Sequence, residues 1–405
     1  MTALIINPLC AAMRRATLFL LLVAFLQACS DKAKPSENAE LQQLWRLNVA
    51  APTQRFESIY PIVGEGQVLM SAYQQEKLFF LLTDSKTGEL RWRFSDTSLR
   101  SAPYYNLKAL HQQGVYILPL GNTLLALRQT DGTVAWRAQS DGNAEQFLEP
   151  DGPAHFMQTL NDWEARRSLV LRFSAADGRA DTLLQMPWPD SCKQLLRTPV
   201  RLPNGKLLCS SIRINTITRQ TQSKWHLMEA ETGAEWRSGK AFPDNTEGYG
   251  ITKQALVLEQ KVLFCAYDQL FCLDFSGREL WRDTLPRDML SSAPVYADGA
   301  FFCAMEDGYL YKIKADSGKV LWKAKASGTP SRPVVYKQHI FLLGGADGLL
   351  YTFDTSDGRL IRKMESPNHR YRENAFFRRF IGLEESAGTL FLYDGNDLRA
   401  YTLKA

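Results

Sequence analysis

A chain of 405 residues, 45% hydrophobic and 22% charged, has the make-up of an ordinary globular protein and not of a disordered one. Its formal net charge of +5 includes two arginines near the N-terminus, and no basic tract stands out, so the electrostatic footprint of a nucleic-acid binder is missing. Eleven per cent aromatic residues and 26 glycines suit many short strands joined by tight turns.

The N-terminus reads as an export signal. Arg14 and Arg15 precede an apolar run at residues 16–26, too short for a bilayer that takes about 20 apolar residues. Met13 directly precedes the arginines, so a start at Met1 or at Met13 leaves the same signal. The run closes on Leu26-Gln27-Ala28-Cys29, which resembles the lipobox of bacterial lipoproteins. That resemblance implies a signal peptide over 1–28 and an acylated Cys29. Ser30 stands where an inner-membrane retention signal has Asp, so the outer membrane, on its periplasmic side, is the expected location. Residues 29–43 are polar and read as a lipidated tether. The domain is expected to run over 44–405, with the lipid as sole membrane anchor.

A repeat fills that domain. Turn glycines recur at Gly88, Gly132, Gly178, Gly233, Gly277, Gly318 and Gly358, spaced 40 to 55 residues apart. Trp92, Trp136, Trp236, Trp281 and Trp322 follow three or four residues behind five of them; Thr182 and Arg362 take that place in the third and seventh units. The unit at residues 292–325 decodes most clearly. Phe301-Phe302-Cys303-Ala304, Leu310-Tyr311-Lys312-Ile313 and Val320-Leu321-Trp322-Lys323 are short runs of β-formers. Asp307-Gly308 and Asp316-Ser317-Gly318 are turns between them, and Pro294 opens a further strand. Four short antiparallel strands in about 40–45 residues make one blade of a β-propeller. Sustained helical periodicity is absent.

Seven glycines mark seven blades. At the C-terminus, residues 388–393 and 398–403 read as the middle strands of another blade whose outer strand is missing. Leu44-Trp45-Arg46-Leu47 matches an outer strand without partners. The all-β chain is therefore expected to close an eight-bladed propeller with its N-terminal strand, which leaves no open sheet edge at the chain ends. A seven-bladed ring with the 144–190 region as an insertion is the alternative. Trp45, Trp92, Trp136, Trp236, Trp281 and Trp322 are expected to pack between adjacent blades.

Besides Cys10 and Cys29, five cysteines remain: Cys192, Cys209, Cys265, Cys272 and Cys303. Cys265 and Cys272 flank a hairpin and would face each other across it; alternatively the cysteines are small buried hydrophobes. No CxxC and no Cys/His cluster points to a metal.

The repeat resembles the PQQ-like (quinoprotein-type) propeller repeat over nearly the whole domain. Among lipoproteins of this type the length is similar to the BamB family, subunits of the machine that inserts β-barrel proteins into the outer membrane. That resemblance implies a scaffold that binds envelope proteins, with the barrel-forming assembly subunit as partner and no cofactor. The family contacts that subunit through a Leu-Arg pair before a Pro-containing strand start, which falls on Leu196-Arg197 ahead of Thr198-Pro199-Val200. Its two aspartates in the next inter-blade loop have no match in Asp244-Asn245-Thr246-Glu247-Gly248-Tyr249.

Catalysis is not expected. Quinoprotein dehydrogenases resembling this repeat are longer and carry an adjacent Cys-Cys pair, which this chain lacks. His111, His155, His226, His339 and His369 are scattered without metal spacing, and no GxSxG elbow occurs. The remaining alternative is a propeller that binds envelope polysaccharide or a small ligand. The loop at residues 368–379, with Arg370, Arg372, Arg378 and Arg379 beside Tyr371, Phe376 and Phe377, is its candidate surface.

Overall fold

The computed structural model describes residues 41–49, 61–74, 77–96, 108–140, 142–145, 147–241, 244–245, 255–266, 269–284, 293–369, 376–377 and 380–403. Among them every regular element is a strand, and the strands form eight antiparallel sheets. These are blade 1 (62–95), blade 2 (110–139), blade 3 (143–187), blade 4 (192–240), blade 5 (256–284), blade 6 (295–325), blade 7 (334–364) and blade 8 (381–403 with 41–48). The eight-bladed reading holds, and the seven-bladed alternative falls because 143–187 is itself a complete blade.

The apolar core lies in the seams between blades. One cluster joins blades 1 and 2 through Phe80 and Tyr116, the next joins blades 2 and 3 through Ile117 and Phe156, and so on around the ring. The last joins Phe391 of blade 8 to Phe79 of blade 1. Successive side chains of a strand point to opposite faces. Phe79 and Phe80 therefore serve different seams, and the middle strands read as unbroken apolar runs such as KLFFLLTD.

The tryptophans are the fixed points of these seams. Trp92 lies against the turn glycine of the next blade, where a Cβ on Gly132 (φ 71°) would stand 2.5 Å from the indole. Only glycine combines that left-handed backbone with that approach. The indole N–H donates to the carbonyl of Gln129 at 2.8 Å. Trp45, Trp136 and Trp281 repeat the arrangement on Ser85, Ala175 and Ala315, each at 2.9 Å. Trp322 reaches Gly358, but its N–H has no partner among the described residues, and the Thr355 carbonyl accepts from Lys312 Nζ at 2.8 Å.

Trp236 departs from the expectation. It is 50% exposed, because Leu227 pairs Arg237 and Met228 pairs Glu235, which leaves Trp236 at the extra residue of a β-bulge. Leu280 and Leu321 occupy the same bulge position in blades 5 and 6 and are 41% and 49% exposed. The seam next to blade 4 is filled instead from the third strand, where Trp225 packs against Gly239 and Gly277. In blade 3 the seam residue is Leu184, lying on Gly233, and not Thr182. Arg362 of blade 7 has no turn glycine to cover, since in blade 8 the third and fourth strands are the two ends of the chain.

Ring closure pairs Leu41–Asn48 with Asp397–Leu403, from Leu41 opposite Leu403 to Asn48 opposite Asp397. The strand thus takes Leu41, Gln42 and Gln43 from the segment read as tether. A buried polar lock fixes it. Arg399, with 3% of its side chain exposed, donates from Nη2 to Asp397 Oδ2 at 2.6 Å and from Nη1 to Gln43 Oε1 at 2.8 Å. Asn48 donates to Asp397 Oδ1 at 3.0 Å, while Ser366 and Asn368 donate to Asp394 Oδ2 at 2.7 and 3.0 Å.

The cysteine expectation also changes. Cys265 pairs with Leu270 and Cys272 with Leu263, so the two do not face each other across the hairpin. Both join Cys303 in the buried cluster between blades 5 and 6. Burial pushes the Cys272 thiol up to about 12 and raises Cys303 as well, which keeps both as inert hydrophobes.

Candidate partner-binding site

Blades 3 and 4 are built differently from the rest, and Leu196-Arg197 lies where they meet. The innermost strand of each is in two pieces. Asn143–Ala144 and Glu149–Pro150 both pair with His155–Asp162, while Cys192–Leu196 and Val200–Arg201 both pair with Leu207–Asn215. Pro199 has no N–H to give a ladder, so the strand breaks there.

The two breaks are joined by an ion pair. Arg197 Nη1 donates to Glu145 Oε1 at 2.8 Å and Oε2 at 2.9 Å. Thr159 N–H donates to Thr198 Oγ1 at 3.2 Å beside it. At the next turn Asp151, 1% exposed at its side chain, sits between Arg172 and Arg201.

The two residues singled out by the sequence have different environments. Leu196 is fully buried and packs with Met157, Val170, Cys209 and Met228 in the seam of blades 3 and 4. Its N–H donates to Asn161 Oδ1 at 3.0 Å and its carbonyl accepts from Asn161 Nδ2 at 3.3 Å. Arg197 keeps 30% of its side chain exposed. Of its five N–H donors the carboxylate engages those of Nη1, and Nε is buried without a partner among the described residues. Asp244 is held by Gln222 Nε2 at 3.1 Å and Lys240 Nζ at 3.3 Å, and residues 246–249 lie outside the described residues.

Sequence reading missed a polar string in the same blade. Ser211 Oγ and His226 Nε2 are 2.7 Å apart, and His226 Nδ1 and Glu235 Oε2 are 2.6 Å apart. This is the connectivity of an acyl-transfer triad. Ser211 is only 3% exposed, however, on the face of blade 4 that carries Cys209 and packs on blade 3. The string satisfies a histidine that is itself 5% exposed. Burial holds His226 below its ordinary 6.5, against the pull of Glu235. The folded protein then binds that proton more weakly than the unfolded chain. The linked stability is present above about pH 6.5 and is lost as pH falls through it. Urea midpoints at about pH 7.5 and 5.5 are expected to fall less in His226→Gln than in the parent, with His339, also lowered by burial, keeping its own share.

The loop at 368–379 lies partly outside the described residues (370–375 and 378–379). Its described part serves packing: the His369 and Phe376 rings are 5.2 Å apart, and Phe377 is buried against blades 7 and 8. Among the described residues, those that a quinone cofactor of the dehydrogenase kind would call on are not assembled. The chain has no adjacent cysteines, and no group of three or more His, Cys, Asp or Glu among the described residues could hold an accompanying metal.

Comparison with known proteins bears on the family and the fold. A family model described as outer membrane protein assembly factor BamB matches residues 38–160 and 222–388. BamB from Moraxella catarrhalis superposes with a TM-score of 0.61 at 14% identity, covering 90% of this chain and 98% of that one. Saccharomyces cerevisiae Sqt1 gives 0.63 at 9% identity, covering 90% and 99%. The quinohemoprotein alcohol dehydrogenase ADHIIG from Pseudomonas putida HK5 gives 0.65 at 10% identity, covering 92% and 78%. At these identities the structural likenesses speak for the propeller alone. No curated protein matches the sequence.

Proposed function

The chain belongs to the family of the outer membrane protein assembly factor BamB, and from that premise we propose a non-catalytic, periplasm-facing scaffold that binds protein partners in outer-membrane β-barrel assembly. The observation that carries this reading is the family match over residues 38–160 and 222–388; Arg197, between the matched stretches, keeps 30% of its side chain exposed beside Glu145. In this reading Cys29 is acylated and residues 30–40 tether the ring to the outer membrane. Sharing one surface raises the effective concentration of scaffold and partner, so a modest contact suffices. Arg197 supplies a charge-assisted hydrogen bond at the edge of the contact, and Leu196 sets its position from inside the seam.

The test is a mild-detergent pull-down of the tagged full chain from its native envelope, read by mass spectrometry. Enrichment of the barrel-forming assembly subunit is expected. Arg197→Glu places a second carboxylate beside Glu145 and is expected to reduce that enrichment at least about tenfold, the equivalent of about 1.4 kcal/mol. Enrichment of unrelated envelope components in its place would remove the assignment.

A further inference from the structure

Blades 3 and 4 stand taller than their neighbours. The second and third strands of blade 3, His155–Asp162 and Arg167–Ser174, have 8 residues each, against 6 each for Val115–Leu120 and Thr123–Arg128 of blade 2. In blade 4 Leu207–Asn215 and Thr221–Met228 have 9 and 8. The turn-glycine ends keep the register of the other blades, so the added length rises on the opposite face as two hairpins. The connection between the blades laces them together. Arg166 donates to the Pro189 carbonyl at 2.9 Å, and Thr216 N–H donates to the Ser191 carbonyl at 2.8 Å.

We propose that this crest is a docking surface for an acidic segment of a partner protein that also carries an apolar side chain. Trp163 and Ile217 stand at the two tips, 40% and 76% exposed. Exposed apolar side chains of this size close to cations are the usual anchors of an interface. Lys193 lies 4.7 Å above the Trp163 ring. Arg166, Lys193, Arg213 and Arg219 have no carboxylate within ion-pair distance among the described residues, and Glu164 and Asp190 are the unpaired acids beside them. The balance is cationic, and guanidinium groups at the tips suit incoming carboxylates. Arg166 and Arg219 hold left-handed backbones (φ 51° and 61°) where glycine would be free of strain, so side chains are retained at both tips against a local penalty.

With the lipid anchor of the scaffold reading, one observation favours a protein over a lipid surface. The closing strand starts at Leu41, opposite Leu403, at the turn-glycine face of the ring. A tether entering there leaves the crest on the side away from its membrane. The proposal deepens the scaffold reading and rests on it for the existence of a protein partner, though not for that partner's identity.

A photo-crosslinking amino acid in place of Ile217, in the lipidated full chain within its native envelope, tests it. The tip is exposed, so folding is undisturbed. Peptide-level mass spectrometry is expected to find one dominant protein adduct on a net-acidic segment. The adduct yield should fall at least about tenfold in the Arg166→Glu, Arg219→Glu background. The same probe at Trp236 on the outer wall should give no such adduct. Adducts on phospholipid or lipopolysaccharide, on a second copy of the chain, or on many proteins alike would overturn the proposal, as would a yield indifferent to charge reversal. A charge-dependent adduct on an acidic protein outside barrel assembly keeps the crest and removes the scaffold assignment. A retained pull-down without the tip adduct removes the crest alone.

Discussion

Trp136→Ala is expected to destabilise the ring by about 3–5 kcal/mol, while Trp236→Ala is expected to stay within about 0.5 kcal/mol of the parent. The two residues follow their turn glycines at nearly the same distance, so spacing alone gives them one role. Their surroundings separate them. Trp136 is 8% exposed, donates to the Ala175 carbonyl at 2.9 Å and stacks on Phe156 with ring centroids 6.4 Å apart. Its removal empties a seam that Gly178 cannot refill, since the glycine has no side chain to move inward. Trp236 is half exposed, and its notable contact is Lys206 Nζ, 3.3 Å above the ring. An exposed cation–π pair contributes about 0.5–1 kcal/mol, and Lys206 also reaches Glu229 Oε1 at 3.2 Å. Urea midpoints at constant slope give the comparison. Equal losses in the two variants would refute the seam assignment.

Arg399→Ala is expected to cost about 3–5 kcal/mol, the range for breaking a buried ion pair by removing one partner. It would leave Asp394 and Asp397, with 0% and 2% of their side chains exposed, without their buried cation. Arg46 approaches Asp397 at 3.6 Å but is 55% exposed, so it is a poor replacement. Arg91→Ala, which breaks an exposed pair with Asp84, is expected to leave the urea midpoint nearly unchanged. Hydrogen exchange locates the effect. Protection should fall first over residues 41–48 and 397–403 in Arg399→Ala, and an even loss around the ring would argue against a local lock.

The blades were legible because their punctuation is chemical. A Trp and the left-handed turn glycine of the next blade are demanded together by one packing contact, so both recur from blade to blade. Closure by Trp45 was legible for the same reason, since its strand repeats the outer-strand pattern and lacks partners in sequence. Trp236 misled because a bulge changes which face a residue takes, and its distance of three from Gly233, where the seam tryptophans stand at four, was the available signal. The seam role of Trp225 lay on a different strand, where the repeat gives no cue. The crest had one trace in the sequence: the 55 residues between Gly178 and Gly233, the widest interval of the set. The polar lock was hidden in a motif, Asp394-Gly395-Asn396-Asp397, that reads equally well as an ordinary turn.

The closing sheet also sets an order of events. Its outer strand is the first of the ring to leave the ribosome, and its inner three are the last. Asn48 meets Asp397 across 349 positions of chain. Seven blades can therefore assemble from neighbouring hairpins, while the strand at 41–48 waits with both edges unpaired. Contacts this distant in sequence form slowly, and an unpaired strand is open to the wrong partner in the meantime. Gln42, Gln43, Arg46 and Asn48 stand among Leu41, Leu44, Trp45 and Leu47, so half of that waiting strand is polar until the last strands of the ring arrive to receive it.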